Sequence, residues 1–212
     1  MDCCTQKALN NLFTSDLARS EIRAYRKHGL QGHDKLLAEN LVRQGVAGAS
    51  VLEVGGGIGG IQIELLRAGA SRATDVDISE GYVAGARELA QSLGFADVTE
   101  QRVLDFAQSA NEVAAADVVI MNRVICCYPL MPALVRPAAQ HAQKALALVF
   151  PRESWWLRWG ARIMNLGLRL TRNPFRFFVH PHAEITGIVS DSGLQPVFDR
   201  TKGVWRVMVF AR

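Results

Sequence analysis

The amino-acid sequence predicts an α/β fold: a doubly wound, mostly parallel sheet that ends in an antiparallel C-terminal hairpin. Short apolar runs alternate regularly with longer helical patterns between residues 50 and 150. Strands and helices that alternate in this way form right-handed crossovers and a parallel sheet covered on both faces. Near the C-terminus, two strand-like segments are separated only by Thr201-Lys202-Gly203. So short a connection is typical of a hairpin and hence of an antiparallel edge strand.

Each element has its own signal. Residues 14–46 indicate two helices separated around residues 28–34, with Ser15 and Asp16 as candidate caps of the first and Asp34 of the second. The predicted strands are 50–54, 72–78, 97–106, 116–122, 145–150, 195–200 and 204–212. The predicted helices between them are 60–69, 79–94 and 131–145.

Length and composition are those of a single globular domain. The chain has 212 residues, of which 49% are hydrophobic and 21% charged, so it can bury a substantial core and is not disordered. We expect one domain over residues 1–212, with an N-terminal helical lid over residues 1–48 and a cap insertion after the fifth strand over residues 151–180. A net charge of +4 is compatible with an anionic partner.

The N-terminus and the cysteines indicate a reducing compartment. The first residues lack the basic start and apolar run of a secretory signal, and no stretch reaches the roughly 18 apolar residues of a spanning helix. The four cysteines form two adjacent pairs, Cys3–Cys4 and Cys126–Cys127. Adjacent cysteines rarely suit disulfide geometry, and without a C-x-x-C spacing no zinc site is expected. We therefore expect a cytoplasmic protein with free thiols and assign no metal ligand.

A glycine-rich turn follows the first predicted strand, within VLEVGGGIGG at residues 51–60. Gly55, Gly57 and Gly60 fit the G-x-G-x-x-G pattern of dinucleotide-binding turns. Read from Glu53, the same stretch fits the acid-x-G-x-G-x-G pattern that holds S-adenosylmethionine (SAM). Glycines let backbone N–H groups approach either ligand closely, so the turn alone does not choose between them.

Three carboxylates at strand ends favour SAM. Glu53 closes the first strand, where it would repel a pyrophosphate but attract an ammonium group. Asp77 ends the second strand 22 residues after Gly55, in a position suited to ribose hydroxyls. Asp105 ends the third strand and can accept a hydrogen bond from an adenine amino group. A ring of acids suits a cationic ligand, and SAM carries both a sulfonium and an ammonium.

These residues resemble the motifs of the class I SAM-dependent methyltransferases. Residues 51–60 match the family's first motif, Asp77 its second-strand acid and Asp105-Phe106 its adenine-side motif. The resemblance covers residues 35–150 well and the last 30 residues loosely. It implies a Rossmann-like, seven-stranded sheet with SAM across the carboxyl ends of the strands and S-adenosylhomocysteine (SAH) as product.

The resemblance also implies a set of donor-binding residues. Those expected at SAM are Glu53, Gly55, Gly57, Gly59, Asp77, Ile78, Asp105, Phe106 and Asn122. The general layout is loosely similar to the magnesium-protoporphyrin O-methyltransferases in its N-terminal helices, compact core and insertion after the fifth strand. EVGGGIGG departs from the DAGCGTG typical of that group.

Residues 122–129, NRVICCYP, follow the fourth strand on the acceptor side. They lack the N/D-P-P-Y/F signature of nucleic-acid amino methyltransferases, so a nucleic acid is not expected as partner. Tyr128 is a candidate for the pocket wall, and His180 is a candidate base or substrate hydrogen-bond donor, or else a capping or exposed histidine. Cys126 and Cys127 either meet the acceptor or a soft metal, or are small buried side chains.

Two features remain open. Arg123, unusual at the end of an apolar strand, either pairs with a core carboxylate or meets an anionic substrate. Residues 151–178 hold three of the four tryptophans, three of the nine phenylalanines and six arginines against one acid. If helical, this segment has an arginine stripe and a wide apolar surface. That surface covers a hydrophobic anionic acceptor, rests on a membrane, or packs against the N-terminal helices or a second subunit.

The sequence therefore predicts a SAM-dependent methyltransferase acting on a small, hydrophobic and anionic acceptor, with O-methylation of a carboxylate or hydroxyl favoured. One alternative is S-methylation of a thiol or metalloid, motivated by the cysteine pairs. Another is a non-catalytic SAM-binding module that docks a membrane or protein through its Trp/Arg-rich helix.

Overall fold

The computed structural model describes residues 12–212, in which eight helices and seven strands follow one another. The helices are α1 (Ser15–His28), α2 (Gly32–Gly45), α3 (Gly60–Arg67), α4 (Glu80–Ser92), α5 (Phe106–Ser109), α6 (Met131–His141), α7 (Trp155–Leu170) and α8 (His182–Asp191). The strands are β1 (Ser50–Val54), β2 (Arg72–Asp77), β3 (Thr99–Val103), β4 (Ala116–Asn122), β5 (Ala142–Pro151), β6 (Gln195–Lys202) and β7 (Trp205–Ala211).

The strands form one seven-stranded sheet in the order β3-β2-β1-β4-β5-β7-β6. Neighbours among β1 to β5 pair in parallel, whereas β7 pairs antiparallel with both β5 and β6. The hairpin therefore closes one edge of an otherwise parallel sheet. The predicted fold class, including its antiparallel end, is confirmed.

Both faces of the sheet are covered. One core contains Leu52 of β1 and is closed by α6 and α8, and the other contains Val51 and is closed by α2 and α3. Side chains alternate along a strand, so Val119 and Ile120, neighbours in β4, enter opposite cores and are both fully buried. The near-continuous apolar runs of the sequence are what a strand buried on both faces requires.

The predicted caps of the first two helices were wrong. Thr14 caps α1, because its hydroxyl accepts a backbone N–H at 3.3 Å, and Ser15 and Asp16 lie inside the helix. Helix α2 begins at Gly32 with no side-chain cap, and the carboxylate of Asp34 in its first turn bonds across to the sheet instead. The side chain of Asp34 therefore bonds a residue that is distant in the sequence and not the backbone of its own helix.

Element boundaries differ most from the sequence-based expectation at two places. The third strand is confined to Thr99–Val103, since Ala96–Val98 form a 3₁₀ turn and Asp105 caps α5. Helix α6 ends at His141, because the fifth strand begins earlier than expected, at Ala142. Both changes leave the order of elements intact.

Helix α1 borders the carboxyl ends of the strands and is tied to the start of α4. The Ser79 hydroxyl donates to the backbone carbonyl of Phe13 at 2.7 Å, and the Tyr82 hydroxyl donates to Glu21 at 2.9 Å. The predicted lid over residues 1–48 is described only from residue 12 onward, so Cys3 and Cys4 lie outside the described residues.

The expected cap insertion over residues 151–180 contains α7 and the segment that leads to α8. Within residues 12–212, no helix has the length and apolar content needed to cross a bilayer.

Candidate functional site

The loop between β1 and α3 has a backbone conformation that strongly favours glycine. Gly55, Gly57 and Gly59 have φ angles of +67°, +60° and +72°, in the left-handed region. A Cβ at Gly55 would lie 2.5 Å from Cγ2 of Val124, and one at Gly56 would lie 2.4 Å from Oδ1 of Asp75. The glycines therefore bring the loop close to β2 and to the segment after β4.

Two aspartates of β2 hold this loop in place. Asp75 accepts the backbone N–H of Gly56 at 3.1 Å, and Asp77 accepts those of Gly57 at 3.2 Å and Ser79 at 2.8 Å. Burial raises the pKa of both carboxyls. Asp75 is fully buried and was missed in the sequence, where its signal was a second acid two residues before Asp77 in the same predicted strand.

Two cavities open at the carboxyl ends of the strands, with volumes of about 440 Å³ and about 330 Å³. We call them the first and the second cavity. Their shared wall is formed by Glu21, Gly55, Gly57, Asn122 and Arg123. The two cavities therefore adjoin each other at the glycine loop.

The first cavity receives the residues predicted for the nucleoside end of the donor: Asp77, Ile78, Asp105 and Phe106. The carboxylate of Asp105 caps α5 by accepting the backbone N–H of Ala107 at 3.1 Å, which fixes its orientation at the cavity.

The second cavity is polar and has hydrogen-bond acceptors without partners. Among the described residues, nothing bonds Oε2 of Glu53 or Oδ1 of Asn122, and both oxygens are buried. Burial, together with the negative charges of Asp34 and Asp77, raises the pKa of Glu53 to about 8. These unused acceptors beside a carboxylate suit the ammonium group of an amino-acid moiety.

Arg123 stands between the two cavities. It directly follows β4 with a φ of +63°, and its guanidinium lies 3.7 Å from the carboxylate of Asp34. Burial pushes the pKa of Asp34 upward, but a hydrogen bond from His33 and the charge of Arg123 hold it below its usual value. Asn122 also donates to Asp34, at 2.8 Å. Of the two readings of Arg123, the pairing with a carboxylate is present, although at long range.

The far end of the first cavity is apolar and aromatic. Its wall includes Cys126, Cys127, Tyr128, Phe175, Phe177 and Trp205. Sequence reasoning offered Tyr128 for this wall, and the cysteines as one of two readings. It missed Phe175, Phe177 and Trp205, which come from the segment after α7 and from β7.

The two cysteines of this wall are thiols of different exposure. The Sγ atoms of Cys126 and Cys127 lie 3.8 Å apart, and only Cys126 is buried. The hydrogen bond with Cys127 and then burial raise the pKa of Cys126, so its thiol stays protonated at neutral pH. Residues 12–212 contain no group of three or more His, Cys, Asp or Glu side chains that could hold a metal ion.

Two predicted site residues do not line either cavity. Gly59 directly precedes α3, and its left-handed backbone conformation turns the loop into that helix. His180 lies under the turn Ile125–Cys127, with Nε2 at 3.1 Å from the carbonyl oxygen of Ile125 and 3.0 Å from that of Tyr128. A carbonyl only accepts, so Nε2 carries the proton, and burial lowers the pKa of His180. This geometry anchors the cavity wall from outside.

Strand order, glycine loop and β2 acid together define the class I SAM-dependent methyltransferases. Residues 51–147, slightly under half of the chain, match a protein family described as a methyltransferase domain. The methyltransferase domain that the sequence predicted is therefore confirmed over these residues. None of the curated protein sequences compared with the chain matches it.

Solved structures share the fold over most of the chain. A magnesium protoporphyrin IX methyltransferase from Synechocystis PCC 6803, crystallised with SAH, is 22% identical, with 98% of this chain and 99% of that one covered and a TM-score of 0.75. An O-methyltransferase family protein from Burkholderia thailandensis is 19% identical, with coverages of 99% and 63% and a TM-score of 0.74. An O-methyltransferase family 2 protein from Planctomyces limnophilus, in complex with apigenin, is 16% identical, with coverages of 93% and 61% and a TM-score of 0.65.

Proposed function

We propose that the chain transfers the methyl group of SAM to an oxygen atom of a small apolar acceptor that carries an acidic group, with SAH as the second product. The observation that carries this proposal is the first cavity, whose aromatic end adjoins the glycine loop. Among the described residues that line it, Arg123 is the sole arginine or lysine.

The donor side of the proposal rests on matched chemistry. The ribose hydroxyls would bond Asp77, the adenine would lie at Asp105 and Phe106, and the ammonium group would meet Glu53 in the second cavity. Bound there, SAM supplies a methyl group made electrophilic by the sulfonium. Solved relatives of the same fold are described with SAM or SAH bound, which supports the same donor here.

The acceptor side rests on polarity and charge. The aromatic wall offers an apolar surface and excludes water from the reacting oxygen. An ionised carboxylate or phenolate is already nucleophilic, so the chain needs to orient it rather than to deprotonate it. Arg123 would pair with the acid of the acceptor, and a charge-assisted pair in such surroundings is strong.

Tyr128 and His180 have different parts in this proposal. Tyr128 lines the first cavity and would contact the acceptor. His180 would act as a positioning residue, since it holds the carbonyls of the turn that carries Tyr128. A small molecule rather than a nucleic acid as acceptor, and a cytoplasmic location, stay predictions of the sequence.

The test is turnover of labelled SAM with a panel of apolar carboxylic acids, phenols and thiols, using wild type, Arg123→Gln and Arg136→Gln. Arg136 is exposed on α6, away from both cavities, and serves as the matched control. For Arg123→Gln we expect KM for the acid to rise roughly 10- to 100-fold, the effect of a lost charge-assisted hydrogen bond. SAM affinity, measured by calorimetry, should change less than about threefold.

Three outcomes contradict the proposal in distinct ways. Loss of SAM binding in Arg123→Gln would assign this arginine to the donor. Methylation of thiols but not acids would support the sulfur alternative. SAM binding without turnover of any acceptor would support a non-catalytic module.

A further inference from the structure

Helix α7 presents a continuous apolar surface to solvent. Trp155, Trp159, Ile163, Leu166 and Leu170 recur every three or four residues and so form one line along the helix, which we call the apolar face of α7. Their exposed fractions are 57–78%. Ala161 is the one buried residue of the helix, and Leu157, Asn165 and Leu168 are half-buried, so the described fold covers only a narrow inner side of it. Soluble monomers rarely expose so large an apolar patch without a partner.

A row of arginines flanks this face. Arg158, Arg162 and Arg169 lie on one side of the apolar line, and Arg162 stacks over the ring of Trp159 at 5.3 Å. Arg152 similarly lies over Trp156, 5.5 Å from the ring centre. Between residues 151 and 178 the only acid is Glu153. The surface is thus apolar at its centre and cationic along one edge.

We propose that the apolar face of α7 docks on an anionic phospholipid surface, with its indole and aliphatic side chains in the interface and its arginines at the headgroups. A helix of 16 residues is about 24 Å long, enough to lie flat along such a surface. Indoles and arginine side chains combine an apolar body with a polar end, which suits the boundary between acyl chains and water.

Charge decides against a second copy of the chain as the occupant. If two copies packed through this face, α7 of neither copy would offer an acidic residue to the arginines of the other. The one acid beside the helix, Glu153, is already paired with Arg158 of the same chain. Anionic headgroups, in contrast, supply the missing negative charge along the whole row.

The docking surface is connected to the first cavity. Asn165, on the inner side of α7, donates to the carbonyl of Phe177 at 2.8 Å and accepts its N–H at 2.9 Å. Phe175 and Phe177 line the aromatic end of that cavity. Docking would therefore bring this wall near the lipid. The consequence, delivery of a lipid-dissolved acceptor, rests on the proposed function, whereas the docking itself does not.

The test is vesicle flotation of the full chain with phosphatidylcholine alone and with phosphatidylcholine mixed with phosphatidylglycerol. We expect binding to the mixed vesicles, weakened by salt. The double variant Trp159→Ala/Ile163→Ala should bind at least about tenfold more weakly, because two large side chains no longer enter the interface. Arg162→Gln/Arg169→Gln should lose most of the preference for the mixed vesicles. Val197→Ala, at an exposed apolar position on β6, is the control and should bind like wild type.

Circular dichroism and urea unfolding would show that the variants keep the fold, and light scattering would give the mass of each. The proposal is overturned if wild type does not float with the mixed vesicles, or if the α7 variants and Val197→Ala float alike. A wild-type dimer that the α7 substitutions dissociate would assign the face to a second copy instead. Because SAM binding is measured separately, failure of docking leaves the proposed function intact.

Discussion

The glycine loop after β1 and helix α7 differ in how closely the rest of the chain packs against them. In the loop, backbone and side chains of β2, α3 and the segment after β4 approach so closely that a single methyl group would collide. In α7, five large apolar side chains point into solvent, and Gly160 has nothing within 4 Å of where a Cβ would be. The loop is determined by its neighbours inside the chain, whereas nothing in residues 12–212 covers the apolar face of α7.

Buried charge shows the same contrast. The loop region contains Glu53 and Asp75, which are both fully buried, so their carboxyl groups have lost their contact with water. The corresponding acid beside α7, Glu153, is well hydrated and paired. Burying carboxylates is unfavourable for folding. Asp75 is compensated by the backbone N–H of Gly56, whereas Oε2 of Glu53 has no partner among the described residues, so Glu53 is the acid left for a cationic ligand. Exposing tryptophans is the analogous sign for α7.

A pair of glycine substitutions gives the largest expected difference between the two regions. Gly55→Ala should lose about 1–3 kcal/mol of folding free energy through the collision with Val124, and a loop displaced by about 1 Å should bind SAM about a hundredfold more weakly. Gly160→Ala should stabilise the protein by up to about 1 kcal/mol, since alanine favours helix. Urea unfolding and calorimetry with SAM check both. Equal effects of the two substitutions would remove the contrast.

A pair of isoleucines gives the next difference. Ile63 in α3 is 2% exposed and Ile163 in α7 is 69% exposed. Ile63→Ala should cost about 2–5 kcal/mol, because it removes buried apolar atoms and leaves a cavity. Ile163→Ala should change the free energy of unfolding by less than about 0.5 kcal/mol in the absence of vesicles. A large loss for Ile163→Ala would mean that α7 packs in solution against part of the protein or a second copy.

The fold could be predicted from the sequence because its signals are local and agree with one another. The apolar period of each strand, the glycines of the loop and the acid at the end of β2 each indicate the same architecture. The nine predicted residues that line the two cavities follow from one rule: the carboxyl ends of parallel strands meet at one edge of the sheet.

What the sequence could not give is contact between distant segments. Phe175, Phe177 and Trp205 come from elements far from β4, and no periodicity indicates that they share a wall with Tyr128. His180 looked like a candidate base because histidine titrates near neutral pH, whereas its partners are backbone carbonyls, which carry no sequence signal. Asp34 looked like a helix cap because it lies at the start of a helical pattern. Its carboxylate instead accepts a hydrogen bond from Asn122, which is 88 residues away in the sequence.

Glu53 in the loop region and Glu153 beside α7 should differ in how their substitution affects the free energy of unfolding. This difference increases gradually with pH. Raised to about 8 from an ordinary value of 4.5, the pKa of Glu53 means that the folded state holds one more proton than the unfolded state between those values. Stability is then fully present below pH 4.5 and is lost as pH rises, by up to about 1.4 kcal/mol per pH unit. Glu53→Gln mimics the protonated form and should lack this loss. The free energy of unfolding of the variant, relative to that of wild type, should therefore increase steadily from pH 5.5 to 7.5.

Glu153→Gln is the matched control, with the opposite sign. A hydrogen bond from the backbone of His182 lowers the pKa of Glu153, so its contribution is present above its ordinary pKa and is lost only as pH falls through the lowered value. Its difference from wild type should therefore stay constant over the same range. Urea unfolding at several pH values without SAM measures both. A constant difference for Glu53→Gln would show that Glu53 is ionised in the free protein, and the carboxylate under the loop would then need no ligand to bring out its charge.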